Sequence, residues 1–152
     1  MSNPSDHDVK ILNSLIETTI DSADGYAEAA KDADSTRFTA TFQSRATERK
    51  QVASVLQQQV RALGGKPDDD GTVLASAHRM FVNLRKSISS GDTAVVDEVE
   101  RGEDHIKHKF EDALKDNDVT TATRSVISSA YASVKAGHDQ MRDLKHALHN
   151  KA

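Results

Sequence analysis

Polar residues interrupt the apolar spacing of this chain where amphipathic helices would bury them. Glu103 falls between Val99 and Ile106, His138 between Val134 and Met141, and Thr19 between Ile16 and Ala23, at three- or four-residue steps. Glu48 lies one turn before Val52 and Val55. All of them stand near the middle of their segments, so helices packed in register are expected to gather Thr19, Glu48, Glu103 and His138 into one polar layer. A buried carboxylate is costly unless it is hydrogen-bonded, paired or bound to a cation. Two readings follow. In the structural one, Glu48, Glu103 and His138 satisfy one another with help from Tyr26, Tyr131 or Arg45. In the metal one, Glu48, Glu103 and His138 hold iron or manganese, completed by Glu17 or Asp21. Di-iron bundles take a Glu from each of two helices and a Glu-x-x-His motif from each of the other two. This chain contains no Glu-x-x-His, which favours the structural reading.

Other side chains with metal-binding chemistry carry a plainer explanation. Glu17, Asp21, Asp24 and Glu28 line one side of the first helical segment. Carboxylates so spaced can hold a cation, but such a line is more often a solvated face or pairs with basic residues such as Arg45, Arg49, Lys135 or Arg142. His105 with His108, and His146 with His149, stand a turn apart and would chelate zinc, nickel or copper adventitiously. No Gly-rich phosphate loop, nucleophile elbow or Ser, His and Asp arrangement supports a hydrolase or nucleotide-binding reading.

The elements that must position these residues are helices. After Pro4, with Ser5 and Asp8 spaced as a capping box, Val9, Leu12, Ile16, Ala23, Tyr26 and Ala30 repeat with helical period. Past a break at Asp34 and Ser35, a second stripe runs through Phe38, Phe42, Val52, Leu56, Val60 and Leu63 and stops at Gly64 and Gly65. A loop follows from Lys66 to Gly71, then a shorter amphipathic helix marked by Val73, Ala77, Met80, Phe81, Leu84 and Ile88. Ser89, Ser90 and Gly91 close it. A third long helix carries Val96, Val99, Ile106, Phe110 and Ala113 or Leu114. Asn117 and Asp118 make the turn into a fourth with Ile127, Tyr131, Val134, Met141, Leu144 and Leu148. The expected architecture is all-α: a ferritin-like four-helix bundle of two antiparallel hairpins, with the shorter helix as crossover between the second and third long helices.

Composition agrees. The chain has 152 residues, the length of one ordinary domain, so residues 1–152 are expected to form a single bundle. It is 36% hydrophobic and 29% charged with 4% aromatics, and neither of its 2 prolines falls inside a periodic segment. A net charge of −4 offers no broad attraction for nucleic acid or anionic lipid. With no cysteine, disulfides and thiolate metal sites are excluded, and no apolar run is long enough for a membrane span or signal peptide. A cytoplasmic location is the expectation, with no nucleic-acid or membrane partner.

Three stretches also carry a family resemblance. Leu12-Asn13-Ser14-Leu15-Ile16-Glu17-Thr18-Thr19-Ile20-Asp21 through Gly25-Tyr26 is one. Glu48-Arg49 leading to Ala62-Leu63-Gly64-Gly65-Lys66-Pro67 is the second, and Glu100-Arg101-Gly102-Glu103-Asp104 the third. Together they resemble a bacterial ferritin-like family known as domain of unknown function 2383. The resemblance implies the four-helix fold and supplies no activity. Set beside the similar bacterioferritin pattern, it implies that Thr19 stands at a first-helix ligand position, Glu48 and Gln51 at the second-helix Glu-x-x-His, Glu103 at the third-helix ligand, and Lys135 and His138 at the last motif. Half of that ligand set is replaced, and a lysine ammonium there opposes a divalent ion.

The functional expectation is a non-enzymatic binding or assembly protein with no cofactor, linked to stress physiology only by analogy with the superfamily. The alternative is an iron- or manganese-binding protein using the central site. Apolar Met80, Phe81 and Leu84 on the shorter helix suggest a homo-oligomer, with a dimer favoured.

Overall fold

The computed structural model describes residues 4–32, 36–69 and 92–149. Over these residues the chain forms α1 (Pro4–Asp32), α2 (Thr36–Ala62), α3 (Asp92–Lys115) and α4 (Thr121–His149). None of these helices is long and apolar enough to cross a membrane. The expected shorter helix from Val73 to Ile88, with Met80, Phe81 and Leu84, lies outside the described residues.

Contacts at the helix ends fix the directions of the four helices. Val9 near the start of α1 packs on Gly65 just beyond α2, so α1 and α2 are antiparallel. His7 of α1 pairs with Asp116 just beyond α3 at 2.8 Å, which makes α1 and α3 antiparallel as well. Gln59 late in α2 reaches Thr123 early in α4, and Arg45 reaches Gln140. Along the other hairpin His149 meets Asp97, and Lys145 meets Glu100. Helices α2 and α3 therefore run in the same direction, and Ala62 and Asp92 lie at opposite ends of the bundle. That arrangement requires one long connection between two hairpins.

The core follows the apolar stripes. Leu12, Ile16, Phe42, Leu56, Val60, Val96, Val99, Ile106, Phe110, Ile127, Val134 and Met141 are all buried, each side chain contributing about 1.5–3 kcal/mol on removal from water. Val55 departs from the expected stripe and is 47% exposed. Phe42 packs on Tyr26 and Phe38, with ring centroids 6.0 and 6.2 Å away.

Polar groups pin the helix ends in register. Gly64 adopts φ +80°, and Gly64 and Gly65 donate to the Arg61 and Val60 carbonyls at 2.9 and 3.0 Å. This paired bonding ends α2 in a left-handed turn that favours glycine. Asn13 clamps the following loop, donating to Lys66 O and accepting from Asp68 N. At the α3–α4 turn Asp116 Oδ1 accepts from Asp118 N, and Arg124 donates to the carbonyls of Leu114, Asp116 and Val119. Asp8 does not complete a capping box with Ser5, because α1 already begins at Pro4. Its fully buried carboxylate instead accepts from the backbone and hydroxyl of Thr120, the residue preceding α4.

Candidate functional site

At mid-bundle an ion pair crosses the core. Arg49 Nη2 of α2 lies 2.7 Å from Glu103 Oε2 of α3, with side chains 0% and 1% exposed. Tyr26 of α1 donates its hydroxyl to the other carboxylate oxygen at 2.7 Å. Arg49 Nη1 donates to Ser22 Oγ at 2.9 Å, and Nη2 also points to the Val134 carbonyl of α4 at 3.4 Å. The guanidinium stands over the Tyr26 ring, 5.6 Å from its centroid. Among the described residues only Arg49 Nε is a buried side-chain polar atom without a hydrogen bond. One network thus takes a group from every helix.

Charge and burial act together there. Burial is the largest single influence on Arg49 and works against its charge, but the groups around it, Glu103 foremost, together hold the guanidinium above its ordinary pKa. Burial, followed by the negative charge of Glu103, pushes the Tyr26 hydroxyl well above 10.0. Tyr26 therefore stays a neutral donor.

Gly137 on α4 makes room for this cation. A Cβ at that position would overlap Arg49 Nη2 and stand 3.3 Å from Glu103 Oε2.

The expected polar layer forms with different members. Thr19 and Glu103 point into the core as expected. Thr19 spends its hydroxyl on the Leu15 carbonyl of its own helix at 2.7 Å. Glu48 is not in the layer: it is partly exposed and takes both carboxylate bonds from Arg45 at 2.7 Å. His138 is buried but turned into the α3–α4 seam, 2.6 Å from Asp104 and 3.3 Å from Asp139. Glu48, Glu103 and His138 therefore do not satisfy one another. Glu17 shares a hydrogen bond with the Asp68 side chain, which with partial burial raises its pKa. Asp21 is buried on α1, and its charge raises the pKa values of Glu17 and His105. Gln51 and Lys135 are exposed.

Sequence reasoning named Arg49 only as a partner for the acidic line on α1, where the structure pairs it with Glu103, and missed Ser22 and Gly137. Arg49 sits seven residues after Phe42 and seven before Leu56, on the stripe itself. A glycine inside a long helical segment was the signal for Gly137.

The donor set does not fit the metal centre that a di-iron bundle would need. Both oxygens of Glu103 are engaged, by Tyr26 and Arg49, and a fixed guanidinium fills the space beside them. The arrangement instead ties four helices together with one protein-borne cation. Residues 8–116 match the family described as Domain of unknown function (DUF2383), and the chain belongs to that family. No curated protein matches the chain in sequence.

Two measurements probe this geometry. Glycine-to-alanine in a helix interior normally stabilises by about 0.5–1 kcal/mol. Gly137→Ala is expected to lose about 1–3 kcal/mol in chemical denaturation, because the new methyl displaces the guanidinium; a stabilised variant would contradict the packing.

The second measurement is alkaline titration of the chain's 2 tyrosines. The hydrogen bond to Glu111 raises Tyr131 to about 12, while Tyr26 lies well above 10.0. Both shifts are upward, so the stability they supply is complete below pH 10.0 and is lost as pH rises through the folded-state values. Tyrosinate absorbance should be nearly absent at pH 10.0, where a free tyrosine is half ionised, and should appear with loss of helical circular dichroism. Half-maximal absorbance at that pH from an intact helical protein is the adverse result.

Proposed function

We propose that this chain is a non-enzymatic, ferritin-like bundle protein that acts through binding or assembly, its centre closed by its own arginine where a ferritin-like oxidase would carry metal ions. The observation that carries the reading is the Arg49–Glu103 pair at 2.7 Å, with Tyr26 on the remaining carboxylate oxygen. A divalent ion at Glu103 would have to displace both partners and would face an uncompensated guanidinium in a dry core. The parallel course of α2 and α3 supports the ferritin-like part, since that topology needs one long crossover. Assembly as a homodimer, and a role in stress physiology by analogy with the superfamily, belong to the same proposal.

Ferrous iron added to chelator-washed, tag-free protein tests it. The expected result is no oxygen consumption above that of iron in buffer, and no iron retained at the centre. Retention of about two equivalents, with oxygen consumption that disappears in Glu103→Gln, would replace this reading with the iron or manganese alternative.

A further inference from the structure

We propose that Glu100, Asp104 and His138 form a binding site for a divalent metal ion of the zinc type at the seam between α3 and α4. This inference goes beyond the reading of the bundle centre and does not rest on it. Glu100 and Asp104 stand four residues apart on one face of α3, and His138 faces them from α4. One ligand atom from each lies within 4.8 Å of the other two.

The hydrogen-bond inventory of His138 points to a cation. Its Nε2 lies 2.6 Å from Asp104 Oδ1, and its Nδ1 lies 3.3 Å from Asp139 Oδ1. Carboxylates only accept, and a neutral imidazole has one N–H to donate. Satisfying both carboxylates takes a second positive species: a second proton on the ring or, once the 2.6 Å contact opens to the roughly 3.3 Å that separates two ligand atoms on zinc, a metal ion at Nε2.

Asp139 is placed to accept a proton held on Nδ1 when Nε2 carries a metal ion. Lys135 donates to it at 2.8 Å and Arg142 at 3.4 Å. A carboxylate behind a histidine is the usual outer support of a metal-binding imidazole.

The site is also reachable. The His138 side chain is 10% exposed, but that of Asp104 is 48% exposed and opens the seam to solvent. Lys145 lies 3.4 Å from Glu100 and is the resident cation that a metal ion would displace. One imidazole nitrogen and two carboxylates leave a coordination position for water, a donor set suited to Zn²⁺.

Zinc alone, titrated calorimetrically into chelator-washed, tag-free full-length protein, tests the proposal. The expected result is about one equivalent bound with a raised melting temperature. Asp104→Asn and Glu100→Gln should each weaken binding at least tenfold, and Asp139→Asn should weaken it about 10–100-fold while leaving every ligand in place. The double variant His146→Ala/His149→Ala should bind as the parent does. Circular dichroism confirms that each variant is folded. Absence of binding at about 1 mM zinc, a weak affinity by the usual scale, overturns the proposal. So does binding that survives Asp104→Asn, or that is lost with the terminal histidines. None of these outcomes bears on the Arg49–Glu103 centre, whose test is iron-dependent oxygen consumption.

Discussion

An arginine and a glutamate with almost no solvent exposure must compensate each other completely, because either charge alone in that core would cost several kcal/mol. The surrounding residues are arranged around that requirement. Tyr26 occupies the second carboxylate oxygen, Ser22 and the Val134 carbonyl take guanidinium protons, and Gly137 withholds a side chain so that the cation can sit against α4. The pair spans α2 and α3, while its partners come from α1 and α4. A shift of one residue in any helix would strand a charge.

Register at the ends is held by a second set of polar contacts. Asp8 fixes the start of α4 against α1, Arg124 gathers the last carbonyls around the α3–α4 turn, and Asn13 holds the loop that leaves α2. The close approach of Val9 to Gly65 sets the height of α1 against α2. These contacts and the central network act on the same variable, the axial position of each helix. This is also why the Leu12-Asn13 and Gly64-Gly65 pairs are informative in the sequence: each marks a place where the chain is tied down.

The four long helices and their buried faces were legible because period and breakers agreed, as with Phe42, Leu56 and Val60 ending at Gly64. Glu103 and Thr19 were legible for the same reason. Arg49 was not, because it was read as a basic partner for the acidic line on α1, and its neighbour Glu48 looked like the inward one. The spacing of seven from both Phe42 and Leu56 places Arg49 on the buried line. His138 was correctly read as buried but assigned to the wrong partners: Gly137 faces the centre, and a one-residue step around α4 turns His138 to the seam. Asp8 was out of reach of local pattern altogether, since its partner Thr120 is 112 residues away.

The central claim is that the bundle core is closed by mutual compensation between Arg49 and Glu103, and a double-mutant cycle measures that most directly. Arg49→Met and Glu103→Leu, singly and together, are followed by urea denaturation at neutral pH. Each single variant is predicted to lose about 3–5 kcal/mol, because the charge left behind is buried and unpaired, while the double variant returns to within about 1 kcal/mol of the parent. If the double variant instead loses the sum of the two single losses, the two charges are not each other's compensation, and the account of the core is wrong.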